Sequence, residues 1–307
     1  MGVEGVALAS PPSPPPRGLR LWLQAARPRT LPLAATPVLA GTALAWAEGA
    51  TPAVGVALAA LLAAMLIQVG TNLHNDAADH ARGNDRADRL GPLRVTAAGW
   101  ATAAQVHRAA FTAFGLAFLL GVYLAVGGGW PIVAIGLAAL AAGAAYSGGP
   151  RPISHSCFGE VFVLLFFGFV AVGGSYYLQS GTLSVAALLA GAAIGGPAAA
   201  VLMVNNLRDL AADAAAGRRT LAAVLGEAGS RRAHALFMLL PFLLLPPLAL
   251  VLPQRSGTWL ALLALVPTIA VLRRMRVASG AALNGVLADT ARAQFVFGAL
   301  LAAGCLL

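Results

Sequence analysis

The sequence has no lysine, so its 20 strongly basic side chains are all arginine, set against 11 acids for a net charge of +9. Charged residues make up only 10% of the 307, where an ordinary soluble domain carries roughly 25%. With 59% hydrophobic residues and a mean hydropathy of +0.80, that scarcity excludes a soluble globular domain. Cysteine is limited to Cys157 and Cys305, far apart and without metal-ligand spacing, which excludes a disulfide framework and a zinc site. Gly-rich linkers are missing as well. The 35 glycines and 19 prolines are scattered through apolar stretches, as membrane helices tolerate, which excludes collagen-like and wholly disordered chains. An arginine-only basic set could suit a nucleic-acid binder. Here the arginines occupy short gaps between apolar runs too long for a soluble core, so no nucleic-acid partner is expected.

Nine apolar runs approach the ~20 residues needed to cross a bilayer. They lie near 31–47, 53–72, 109–126, 131–147, 158–178, 183–206, 235–252, 257–272 and 291–307. The expected fold is therefore an all-α integral membrane protein of about nine transmembrane helices. Residues 1–28, with Pro11, Pro12, Pro14, Pro15 and Pro16, read as a disordered cytoplasmic tail and lead-in, and 29–307 as one transmembrane domain. Nineteen of the 20 arginines fall in the tail, the even-numbered gaps or, for Arg292, the edge of the eighth gap at the start of the ninth run, and the odd-numbered gaps hold only Arg255. The positive-inside rule then puts the N-terminus and every even gap on the cytoplasmic side of a multi-pass protein.

The acids are just as unevenly placed. Asp76, Asp79, Asp85, Asp88, Asp209 and Asp213 fall in two segments, each after an even-numbered helix. One has Asn72, Asn75, Asp76 and Asp79 followed by Arg82 and Gly83; the other has Asn205, Arg208, Asp209 and Asp213 followed by Gly217, Arg218 and Arg219. Their spacings, N-x3-D-x2-D-x3-G and N-x3-D-x3-D-x3-G, form an internal echo that suggests two related halves. On a helix, steps of three and four residues bring the amide and both carboxylates of each segment to one face. Carboxylates packed this closely repel one another and are costly beside lipid, so something positive must sit between them. Hard oxygen ligands without a His or Cys cluster point to magnesium, which completes its shell with water and phosphate oxygens. The plainer alternative is that the loop arginines neutralise the acids as ion pairs. Arg82, Arg86, Arg89, Arg94, Arg208, Arg218 and Arg219 also supply forked donors for a phosphate-bearing ligand. Magnesium, diphosphate and an apolar interior together imply chemistry on an isoprenoid diphosphate. Glu160, a lone carboxylate at the start of a very apolar span, needs a partner such as Arg151, and serves either that pairing or acceptor orientation. Phe166, Phe167, Tyr176 and Tyr177 are candidates for a cavity wall.

From Arg27 onward these residues resemble the UbiA-type intramembrane prenyltransferases. Arg27-Pro28-Arg29-Thr30-Leu31-Pro32 is similar to the family's approach to its first helix, and the two Asp segments to its paired Asp-rich motifs. Asp88-Arg89-Leu90-Gly91-Pro92-Leu93-Arg94, Tyr146-Ser147-Gly148-Gly149-Pro150, Leu207-Arg208-Asp209 and Gly217-Arg218-Arg219-Thr220 look most like the branch of menaquinone synthesis. The resemblance implies nine helices around a central cavity open to lipid, with both motifs at its cytoplasmic mouth. It implies a bacterial inner-membrane enzyme that joins polyprenyl diphosphate to 1,4-dihydroxy-2-naphthoate, with Mg2+ as cofactor and membrane lipid as its surroundings. Asp76, Asp79, Asp209 and Asp213 would bind the metal. Asn72, Asn75, Asn205, Tyr146, Arg82, Arg89, Arg94, Arg151, Arg208, Arg218 and Glu160 would bind substrate. The branch usually has lysine where Arg218 stands. Rival readings are another aromatic acceptor, such as 4-hydroxybenzoate, and an ion-coupled transporter, whose acids would be expected nearer the bilayer midplane.

Overall fold

A computed structural model describes residues 16–83, 90–92, 94–252 and 256–307. Within these every regular element is helical. A short helix α1 (Leu19–Ala26) and a 3-10 turn over Pro28–Thr30 lead into α2 (Leu31–Ala47) and α3 (Val54–Ala81). α4 (Ala103–Ser147) starts at a capping box in which Thr102 and Gln105 satisfy each other's backbone amides. α5 (Gly159–Val163), a π-helical stretch (Leu164–Val170) and α6 (Ala171–Ser180) form one rod. They are followed by α7 (Val185–Arg208), α8 (Leu210–Ala215) and α9 (Leu221–Val251). A 3-10 run (Ser256–Ala264) continues as α10 (Leu265–Val277), and α11 (Leu283–Leu306) ends the chain.

Seven helices among the described residues are long and apolar enough to cross a membrane by length and composition. The difference from nine apolar runs has two physical sources. α4 contains Gly129 with φ 65° and ψ −161°, a conformation open to glycine, and its two limbs fold back on each other there. A Cβ at Gly143 would lie 3.3 Å from the Phe114 ring, although a straight helix would hold those positions about 43 Å apart. The apolar run near 257–272 begins as a 3-10 segment and becomes α-helical only at Leu265.

α7 is apolar on every side and occupies the middle of the bundle, with Ala193, Ile194, Ala199, Ala200, Met203 and Val204 all buried. Small side chains let its neighbours approach: a Cβ at Gly195 would stand 2.7 Å from the Leu164 carbonyl oxygen. α3 packs on α4, α7 on α9, and α11 on α2. α3 and α7 both run toward the end of the bundle where Thr30, just before α2, receives a bond from Asn72 of α3. The last turns of these two helices carry the two polar motifs.

Candidate active site

A cavity of about 700 Å³ lies between α2, α3, α4, the π-helical stretch and α7. Its wall is aliphatic and aromatic over most of its extent. At one end the lining turns polar, with Arg27, Gln68, Asn72, Asn75, Tyr146 and Asn205. Phe166 and Phe167 both face it from the π-helical stretch, and such stretches recur at functional sites. Tyr176 and Tyr177 are packed among other side chains and do not line it.

The first motif sits on the last turns of α3. Asn72 donates to the Ala26 carbonyl at 3.0 Å and to the Thr30 hydroxyl at 3.1 Å, tying the Arg27–Thr30 segment to the helix. Asp76 is buried and accepts from the Val95 amide at 3.1 Å and from the Thr96 hydroxyl. It therefore pins the turn that follows Arg94. Arg94, buried as well, donates to Asp79 at 2.6 Å. Arg82 turns away from the acids and donates to the carbonyls of Ser147 at 2.6 Å and Gly149 at 3.0 Å, fixing the end of α4 just past Tyr146.

The second motif is built by a break in the chain. α7 ends at Arg208, whose guanidinium grips Asp209 through two bonds of 2.8 and 2.6 Å. The same group reaches Asn205 and Asn284, both at 2.8 Å, and Asn284 donates to the Leu90 carbonyl at 2.7 Å. α8 then carries Asp213. Gly217, with φ 69°, reverses the chain so that the Arg218 amide bonds the Asp213 carbonyl at 2.9 Å, and Thr220 caps α9.

The two motifs meet at Arg218, which donates to Asp79 at 2.9 Å and to Asp213 at 3.3 Å. Burial pushes Asp213 up to about 6, helped by the charges of Asp209 and Asp79, although Arg218 opposes the shift. His155, whose carbonyl accepts from the Arg219 amide at 3.0 Å, is held below the usual imidazole range by burial and by Arg218 and Arg82.

The structure brings together Asn72, Asp76, Asp79, Arg94, Asn205, Arg208, Asp209, Asp213 and Arg218, with Asn75 and Tyr146 in the cavity wall. Arg89, Asp85, Asp88 and Arg86 lie outside the described residues. Arg151 is exposed and does not pair with Glu160. Glu160 instead accepts from Asn206 at 2.9 Å, and its second oxygen is buried without a partner. Asn206 follows Asn205 directly, and a helix turns 100° between them, so one amide faces the cavity and the other faces α5. The roles of Thr96, Asn284 and Asn206 had no signal in spacing. Arg27, which lines the polar end of the cavity and is the only non-glycine at positive φ among the described residues, did have a signal, because it opens the Arg27–Pro32 motif already singled out.

Among the described residues no three His, Cys, Asp or Glu side chains converge into a protein-only metal cage. The donor chemistry nevertheless suits magnesium, which takes one or two carboxylates and leaves the rest of its shell to water and phosphate. Arg218 already places a cation between carboxylates of both motifs.

A profile described as the UbiA prenyltransferase family matches residues 34–283. The 1,4-dihydroxy-2-naphthoate octaprenyltransferase of Escherichia coli is 39% identical over 249 residues, 79% of this chain and 80% of that protein. The enzyme of the same name from Mycobacterium tuberculosis is 41% identical over 211 residues, 68% and 71% of the two chains. A UbiA homolog from Archaeoglobus fulgidus solved with GPP and Mg2+ aligns with a TM-score of 0.63 at 16% identity, covering 92% of this chain and 99% of its own.

Proposed function

The chain belongs to the UbiA prenyltransferase family, and from that premise we propose that it transfers a polyprenyl group from polyprenyl diphosphate to 1,4-dihydroxy-2-naphthoate. Diphosphate and carbon dioxide leave, and demethylmenaquinol forms for menaquinone synthesis. What supports the reading is that Arg218 joins Asp79 of one carboxylate motif to Asp213 of the other, while Asn72, Asn75 and Asn205 of the same motifs line the polar end of an apolar cavity. The naphthoate acceptor follows from relatives 39% and 41% identical that bear that activity in their names.

In this reading the cavity holds the prenyl chain and Asn75, Asn205 and Tyr146 border the reacting end. Asp79 and Asp213, with Asp76 and Asp209 beside them, would hold Mg2+ against the diphosphate. Bound there, the metal supplies charge neutralisation for the departing diphosphate. Arg94, Arg208 and Arg218 would share that negative charge through forked bonds. The apolar wall keeps water from the allylic cation, and the faces of Phe166 and Phe167 favour positive charge. The ring carbon bearing the carboxylate attacks the cation. The electrons of the bond to the carboxylate then restore aromaticity as carbon dioxide departs, so no proton is left to place.

The two limbs of α4 and the 256–277 segment, counted separately, bring the crossings to nine, the number we propose. Purified protein given Mg2+, a polyprenyl diphosphate and a panel of aromatic acids should yield a decarboxylated prenyl naphthoquinol by mass. Prenylation of 4-hydroxybenzoate with its carboxylate retained, and none of the naphthoate, would move the acceptor assignment and leave the metal chemistry standing.

The arginine distribution further proposes a protein of the bacterial inner membrane with its N-terminus and both motifs facing the cytoplasm. Arg219 is exposed just past the second motif. In a chain with Cys157 and Cys305 replaced, Arg219→Cys should react with an impermeant maleimide only after the cytoplasmic face is opened. Labelling in intact cells would reverse the topology.

A further inference from the structure

We propose that Arg218 is the resident counter-ion of the site. Its guanidinium holds the place between Asp79 and Asp213 that the divalent cation takes, and yields it when diphosphate arrives, so metal and prenyl diphosphate bind cooperatively. The proposal rests on the metal-dependent reading above and adds an order of events to it.

The argument begins with charge. The Asp79 and Asp213 side chains are 5% and 7% exposed and come from opposite motifs. Two buried carboxylates facing each other need a cation between them, because burial and mutual repulsion both work against ionisation. Arg218 is the cation that joins them, at 2.9 Å from one and 3.3 Å from the other, while Arg94 holds the second oxygen of Asp79 from its own side. It reaches them through separate terminal nitrogens, and its Nε is buried without a partner. The fork therefore bridges the motifs and keeps one donor unused.

A divalent cation entering alone meets this guanidinium as a like charge and must displace it from both carboxylates. Diphosphate changes the balance, because its oxygens accept the released fork and shield the guanidinium from the metal. Gly217, at φ 69°, adjoins Arg218 and gives the backbone a point about which the side chain can be re-aimed. Each ligand then binds more tightly when the other is present, and linkage makes the coupling reciprocal. Arginine suits this exchange better than lysine, since a planar fork can hold two carboxylates at once.

The test is Mn2+ binding to the full-length protein in nanodiscs, followed by loss of the free-Mn2+ EPR signal. It is run with and without geranyl S-thiolodiphosphate, a donor analogue that resists ionisation. Wild type should bind Mn2+ weakly alone and at least tenfold more tightly with the analogue, beyond what the analogue binds by itself in solution. Arg218→Gln should bind Mn2+ alone at least tenfold more tightly than wild type and lose most of the gain from the analogue. Should Arg218→Gln be unstable without metal, its thermal midpoint should rise with Mn2+ by more than that of wild type. Metal affinity and midpoint shift no greater than wild type would overturn the counter-ion role while leaving the metal chemistry intact. A wild type that holds no Mn2+ even with the analogue would overturn the metal reading, and this proposal with it.

Discussion

Asp79→Asn and Asp213→Asn should each lower turnover by roughly 10³-fold or more, the scale on which removal of preorganised charge stabilisation acts. Either substitution removes one of the two carboxylates that Arg218 joins. The costs to the fold differ. Asp79 holds the buried Arg94 at 2.6 Å as well as Arg218, so its neutral form takes a carboxylate from both guanidiniums, and only Arg218 has Asp213 as a second. Breaking a buried pair in this way costs about 3–5 kcal/mol. Asp213→Asn leaves Arg218 with Asp79 and should be the milder change in thermal midpoint at the same loss of turnover. Asp76 gives a third pattern, because its carboxylate also holds the Val95 amide and the Thr96 hydroxyl. Asparagine can keep an acceptor toward Val95, whereas Asp76→Ala leaves that buried amide unmet and should be less stable than Asp76→Asn by about 1–3 kcal/mol. The checks are single-turnover product formation and thermal unfolding in detergent. Full turnover by Asp79→Asn and Asp213→Asn would remove the motifs from the chemistry.

The contrast between Asp76 and Asp79 marks what could be read from the chain before its structure. The hydropathy pattern located the apolar runs, because crossing a bilayer imposes a length and a polarity that composition alone exposes. The gap at 127–130 between the third and fourth runs brackets the reversal at Gly129, although it does not show which residue turns the chain. Gly127, Gly128 and Gly129 sit in that gap with no charge to single one out, and only positive φ at the third makes a turn of it. Within the site, the N-x3-D spacing drew attention to Asp76, Asp79, Asp209 and Asp213, since helical periodicity is a local property. Which arginine meets which acid is not local. Arg82 and Arg94 are equally basic and flank the first motif, yet Arg82 fixes the end of α4 and Arg94 binds Asp79. That choice depends on the path of the chain after Gly83, which no spacing records. Glu160 shows the same limit: the need for a partner was legible, but the partner is the Asn206 amide from α7, not the arginine nearest in sequence.

Gly136→Leu should select against long prenyl donors while sparing short ones. Gly136 lies in the cavity wall on the second limb of α4, seven residues past the Gly129 reversal and ten before Tyr146 at the polar end. A Cβ built there meets nothing within 4 Å, so a larger side chain grows into the cavity without forcing the helix to move. Ten residues of helix span about 15 Å, which places the new side chain well away from the diphosphate and beside the distal part of a long chain. A geranyl chain bound with its diphosphate at the motifs ends short of that depth, whereas a chain of many isoprene units must pass it. Loss of apolar contact or a steric block of this kind is worth roughly 10- to 200-fold in selectivity. The kcat/KM for a long polyprenyl diphosphate should therefore fall by that factor relative to geranyl diphosphate, with Mn2+ binding unchanged. Equal losses for both donors would mean that the chain does not follow this wall, and the apolar cavity would then no longer account for how the substrate is held.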